Sequence, residues 1–121
     1  MMGDTVVVIE DEREILDLLQ AILEGEGYRV VSVGHPTLLH PAIADYHPAL
    51  FLIDIMLPGV SGIALAERLH SGGYGRVPRV AMSASDAMVL RAAHSGWFAG
   101  VLEKPFDVER LVACVAEHLA A

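Results

Sequence analysis

Apolar residues in this chain recur with two different periods, and the two alternate from one end to the other. Short apolar runs at Thr5 to Ile9, Tyr28 to Val33, Ala49 to Ile53, Val77 to Met82 and Gly100 to Leu102 are separated by segments of helical length. Three of the runs are apolar on consecutive residues, the pattern of strands covered on both faces. Between the runs, Ile15, Leu18, Leu19 and Ile22 recur at helical spacing, as do Val108, Leu111, Val112, Val115 and Leu119, so each set makes a core-facing stripe. Gly27, Gly72 with Gly73, and Gly96 are stop signals, while Asp86 and Asp107 are placed to cap the last two helices. Pro41 falls inside the segment from Pro36 to Asp45 and kinks or shortens the second helix. Five strands alternating with five helices predict an α/β fold, a doubly wound (βα)5 open sandwich on a parallel five-stranded sheet with right-handed crossovers.

At 121 residues, with no Ser- or Pro-rich linker, the chain predicts one domain over residues 1–121, its core at about 4–120. Charges interrupt every apolar run well short of the ~18 residues a membrane span requires. The start, Met1-Met2-Gly3-Asp4-Thr5, lacks the basic and apolar stretches of a secretory signal, so a cytoplasmic protein without a membrane role is expected. Cys114 is the only cysteine, which excludes an internal disulfide and makes it a small buried hydrophobe. A net charge of -8 without a visible Lys/Arg cluster argues against direct nucleic-acid binding.

In an open parallel sheet the ligand site lies beyond the carboxyl ends of the strands. The first run leads there into Glu10-Asp11, the third into Asp54, the fourth into Ser83 and the fifth into Lys104. Singly, each has a plain structural role: the first pair caps a helix, Asp54 caps a turn, Ser83 fills a turn and Lys104 is solvated. Together they say more. Three carboxylates on one edge repel one another and hold raised pKa values unless a cation neutralises them, and an all-oxygen site suits Mg2+. A hydroxyl and an ammonium opposite such a metal suit phosphoryl oxygens.

These groups stand in the stretches "VVVIEDE", "LIDIMLPGVSG" and "LEKPF". In that order and at those intervals, over nearly the whole chain, they resemble the receiver domain of two-component response regulators of the chemotaxis-regulator type. The resemblance implies a flavodoxin-like sheet of order 2-1-3-4-5, which sets the first and third strands side by side. It implies that Asp54 accepts a phosphoryl group from a histidine kinase or histidine phosphotransfer protein in an Mg2+-dependent reaction and relays the signal by a conformational change. Asp11 and Asp54 would bind Mg2+, with Glu10 reaching it through water and the backbone carbonyl of Met56 completing the set. Glu10 stands where many members have Asp, a difference expected to change little. Lys104 would pair with Asp54 before the reaction and with a phosphoryl oxygen after it.

The resemblance also implies a cis bond between Lys104 and Pro105, although an X–Pro bond by itself is cis only about 5–6% of the time. Ser83 would bond the phosphoryl group, and Ala84 after it keeps that loop small enough to move. Usually an aromatic three positions before the lysine turns inward as part of the switch. Here that position is Val101, a departure that leaves the chemistry intact and alters the readout. Pro58, Gly59 and Gly62 match the turn after the nucleophile. Such a domain is a phosphoacceptor that assists its own phosphotransfer and dephosphorylation rather than an enzyme. Its partners would be the kinase or phosphotransfer protein and a downstream target or output domain outside this chain, and it would be a monomer or weak dimer.

The six histidines fall at no spacing that suits zinc. Trp97 and Phe98 read as packing residues between the fourth helix and the last strand. Leu16 and Leu23 widen the apolar arc of the first helix, and core burial is the first reading for Ile15 and Leu16. The resemblance implies that this helix and the loop carrying Pro105 and Phe106 meet the phosphodonor, where an exposed Ile15 or Leu16 would be a docking contact. Rival readings fit less well. A mononucleotide-binding domain would have a Gly/Ser/Thr-rich loop where Glu10-Asp11-Glu12 stands, and an aspartyl-nucleophile phosphatase would carry an Asp-x-Asp pair after its first strand. The alternative within the family is a degenerate receiver, a phosphorylation-independent interaction module. Every chemical group is retained, which argues against it.

Overall fold

The computed structural model describes residues 3–120, so Met1, Met2 and Ala121 of the expected domain lie outside the described residues. Strands β1 (Thr5–Ile9), β2 (Arg29–Val33), β3 (Pro48–Asp54), β4 (Arg79–Ser83) and β5 (Gly100–Glu103) form one sheet of order β2-β1-β3-β4-β5. Every pairing in it is parallel. The helices are α1 (Arg13–Gly25), α2 (Leu39–Ile43), α3 (Gly62–Leu69), α4 (Asp86–Ser95) and α5 (Val108–Ala120). The architecture and the strand order match the expectation.

Alternation along the strands sorts the core into two layers. Val6, Val8, Leu50, Leu52, Val80 and Met82 pack with Leu16, Leu19 and Leu23 of α1 and with Leu111 and Val115 of α5. The intervening Val7, Ile9, Phe51 and Ile53 pack with Leu39 and Ile43 of α2 and with Leu65, Ala66 and Leu69 of α3. Helix α4 is held more lightly. Its one buried residue, Ala92, meets Ile55 and Ala81.

Four local expectations are corrected. The inner stripe of α1 is Leu16, Leu19 and Leu23, Ile15 and Ile22 lie partly buried beside it, and Leu18 is 59% exposed. The six apolar residues of this helix span roughly 160° of arc at ~100° per residue, and periodicity alone does not fix where the sheet meets so wide an arc. Helix α4 is capped by Ser85, whose Oγ accepts the Met88 N–H at 3.3 Å, and Asp86 is the first residue inside. A carboxylate there still suits the positive end of the helix. The fourth strand starts at Arg79 rather than Val77, since Pro78 has no N–H to give a ladder. Asp107 does cap α5, accepting the Arg110 N–H at 2.8 Å. A turn of 3-10 helix at Pro36–Leu38 precedes α2, which is five residues long and contains Pro41. Cys114 is half-buried rather than fully enclosed, and burial raises its thiol above the ordinary value.

Candidate functional site

Parallel pairing of β1 with β3, with Ile9 beside Ile53, delivers Glu10, Asp11 and Asp54 to one edge of the sheet. One carboxylate oxygen from each of the three lies within 4.8 Å of the others. Glu10 is fully buried, Asp54 nearly so at 6% exposure, and Asp11 is open to solvent. An all-carboxylate trio with one accessible member has the donor chemistry of a hard divalent cation site. Met56 lies beside it with an exposed side chain, its N–H donating to Asp54 Oδ1 at 2.9 Å.

Lys104 reaches in from the end of β5. Its Nζ donates to Glu10 Oε1 at 2.5 Å and to Asp54 Oδ2 at 3.3 Å. The glutamate is therefore its nearer partner. The second Glu10 oxygen, Oε2, accepts the Glu12 N–H at 3.3 Å. Burial pushes the Glu10 carboxyl up to about 7, with the neighbouring Asp54 adding to the rise and Lys104 opposing it. Burial alone would lower the Lys104 ammonium, but its hydrogen bond to Glu10 and the charges of Asp54 and Glu10 outweigh this and raise it.

Ser83 ends β4 with 2% exposure, its Oγ accepting the Ser85 N–H at 3.0 Å. The Lys104 N–H donates to the Ser83 carbonyl at 2.8 Å, which ties the two loops together. Ala84 is exposed, and the Lys104–Pro105 peptide bond is cis. Val101 is half-buried against Ile55, Ala81 and Ala92, with Met88 and Phe98 in the same cluster. Phe98 thus brings an aromatic ring to the neighbourhood of a valine, a contact that no spacing rule signals.

One further feature escaped the sequence. Gly62 opens α3 so close to the site that a Cβ on it would sit 2.5 Å from Ile55 Cα and 2.6 Å from the Asp54 carbonyl oxygen. The glycine is needed for close approach, whereas Gly59 has the positive φ of 78° that a turn glycine supplies. Beside the carboxylates, Ile15, Leu18, Ala84, Pro105 and Phe106 line an apolar hollow of about 390 Å³.

The family model of the response regulator receiver domain matches residues 6–116. The chain belongs to the response regulator receiver family. This receiver is 41% identical over 69 residues to the phosphate regulon transcriptional regulatory protein PhoB of Pseudomonas aeruginosa, covering 57% of this chain and 30% of PhoB. It is 28% identical over 118 residues to the DNA-binding response regulator MtrA of Mycobacterium tuberculosis, covering 98% of this chain and 51% of MtrA. The receiver thus spans about half of MtrA and less than a third of PhoB in these matches. Among solved structures, the receiver domain of NtrX from Brucella abortus matches with a TM-score of 0.86 at 28% identity, over 96% of this chain and 98% of that one. Among the described residues, no helix is long and apolar enough to cross a membrane.

Proposed function

We propose that this receiver takes a phosphoryl group from a histidine kinase or histidine phosphotransfer protein onto Asp54, with Mg2+ held by Asp11, Asp54 and the Met56 carbonyl and approached by Glu10 through water. The observation that carries the reading is the convergence of Glu10, Asp11 and Asp54 within 4.8 Å, with the Lys104 ammonium against two of them. The nucleophile is an Asp54 carboxylate oxygen. It forms a bond to phosphorus while the bond from phosphorus to the donor nitrogen breaks, and the electron pair leaves with that nitrogen. Mg2+ in the carboxylate site supplies positive charge to phosphoryl oxygens that two carboxylates alone would repel. Lys104 adds a second cation beside the same nucleophile, and the Ser83 hydroxyl is placed to donate to the new phosphoryl group once its loop moves inward.

The hollow between Ile15, Leu18 and Phe106 supports docking of the phosphodonor, since it is apolar and borders Lys104. The downstream target is either a separate protein or an output domain such as the regulators named above carry, in a cytoplasmic setting. This domain acts as a phosphoacceptor that assists its own phosphorylation and dephosphorylation rather than as an enzyme on a free substrate. The test is incubation with acetyl phosphate, with and without Mg2+, followed by intact mass. A gain of one phosphoryl group that requires Mg2+ and is absent from Asp54→Asn is expected, and full yield in that variant would overturn the assignment.

A further inference from the structure

The opposite end of the sheet holds a feature that phosphotransfer does not use. At the amino-terminal ends of β4 and β5 a cavity of about 380 Å³ is lined by Arg76, Arg79 and His118, with Trp97 and Phe98 among its apolar walls and no carboxylate. In a chain of net charge -8, a concave surface whose ionisable groups are all basic is a local inversion of sign.

Arg79 is the unusual member. It is 7% exposed, yet among the described residues no carboxylate lies at ion-pair distance from it. Its Nε donates to the Trp97 carbonyl at 2.8 Å, and its Nη1 donates to the carbonyls of Val77 at 2.9 Å and Tyr74 at 3.2 Å. Nη2 has only the His70 Nδ1 at 3.5 Å, a long contact for a guanidinium donor. Carbonyl dipoles solvate the charge without neutralising it, and burial, the only cause acting on it, lowers its pKa from the ordinary value. A guanidinium remains charged regardless. The contrast with Lys104 is direct, since that cation faces two carboxylates. Two of the carbonyls that hold Arg79, those of Val77 and Trp97, belong to residues of the cavity wall. The buried cation therefore forms part of the cavity wall, with Arg76 exposed beside it.

We propose that this cavity binds a small organic anion, a carboxylate or phosphate ester carried on a flat apolar body. The anionic group would pair with Arg76 in the field of Arg79, and the flat body would lie against Trp97 and Phe98. The volume is in the range of small-molecule sites and too small for a folded partner. The Trp97 ring is already braced, its centroid 5.1 Å from that of His70, so the wall is formed before a ligand arrives.

Trp97 is the only tryptophan, so its fluorescence reports on this site alone. The full chain, without Mg2+ and at constant ionic strength, is titrated with benzoate, phenyl phosphate, inorganic phosphate and chloride. A saturable change with benzoate or phenyl phosphate is expected, with amide shifts concentrated at residues 75–79 and 96–99, and the ratio of the two affinities identifies the anion. Arg76→Gln, at an exposed position that does not risk the fold, should weaken binding on the order of tenfold. No saturable response to either aromatic anion, a response equal to that of chloride, or unchanged binding in Arg76→Gln would overturn the proposal.

Discussion

Lys104 Nζ lies 2.5 Å from Glu10 Oε1, nearer than the 3.3 Å that separates it from Asp54 Oδ2. The fully buried carboxylate therefore holds the lysine, and Asp54 shares it. Two carboxylates around one ammonium leave a negative excess that a divalent cation would relieve, and burial makes Glu10 the group least able to tolerate that excess.

A pH dependence of stability follows. Unfolded, Glu10 loses its proton near its ordinary value of 4.5, and in the folded metal-free protein it does so near 7. Between those values the folded chain holds a proton that the unfolded chain has lost, so this group's contribution to stability falls as pH rises from about 4.5 to about 7. The loss is on the order of a few kcal/mol. Urea unfolding midpoints measured across that window should decline, Glu10→Gln should flatten the decline, and Mg2+ should restore stability above pH 7. A midpoint that rises through the window in the absence of metal, with no change in Glu10→Gln, would contradict the burial argument.

Asp11 and Lys104 should separate metal binding from chemistry. Asp11 is exposed, so Asp11→Asn should leave stability within roughly 0.5 kcal/mol. It removes a charged ligand, and calorimetric titration should show Mg2+ affinity lower by at least about tenfold. Lys104→Ala keeps all three carboxylates. It should slow phosphorylation by acetyl phosphate at saturating Mg2+ by roughly 10²-fold, the scale for losing one preorganised charge or donor at a transition state. Equal loss of metal affinity in both variants would show that the lysine acts through the metal site instead.

Helix α1 gives a stability contrast within two adjacent residues. Leu19 is 1% exposed and Leu18 is 59% exposed. Leu19→Ala should cost roughly 2–5 kcal/mol through lost burial and a residual cavity, whereas Leu18→Ala should cost no more than about 0.5 kcal/mol. Denaturant melts read both. If Leu18 serves donor docking, its substitution should instead lower the rate of phosphotransfer from a histidine-containing donor while leaving the acetyl phosphate rate unchanged.

These residues also mark the boundary of what the sequence could reveal. The strand order was legible through the resemblance alone, whereas the site was legible because polar groups at the ends of apolar runs admit few arrangements, and Glu10, Asp11, Asp54, Ser83 and Lys104 do meet at one edge. The face of α1 was not legible, because six apolar residues define a wide arc and only packing chooses the part that is covered. Asp86 and Ser85 are both good caps in adjacent positions, so geometry decides between them. Gly62 looked like a turn glycine, yet its requirement is a 2.5 Å clearance from Ile55, a tertiary fact. Arg79 carried no motif at all. Its buried guanidinium is satisfied by carbonyls from residues 74, 77 and 97, two of them before it and one well beyond it in sequence, and no local pattern encodes such a set.

Val101 stands where the resemblance leads one to expect an aromatic, and its packing sharpens the expected consequence. The side chain is half-buried among Ile55, Ala81 and Ala92, beside Met88 and Phe98. A receiver responds to the extent that two packings bind the phosphoryl group and the partner differently. A residue that hides a large apolar surface in only one packing contributes much of that difference. Valine has a short reach and a restricted χ1, so it should stay in one place if the loop carrying Ser83 moves. Beryllium fluoride, a stable mimic of the phosphoryl group, should therefore shift amide resonances around Ser83 and Lys104 while leaving α4, β5 and α5 nearly unchanged. Val101→Tyr should extend the response into α4, because the larger ring then has two places to sit and α4 has Ala92 as its one buried residue. Large shifts across residues 86 to 102 in the unsubstituted protein would show that the switch operates without an aromatic at this position, with Phe98 the first residue to test in its place.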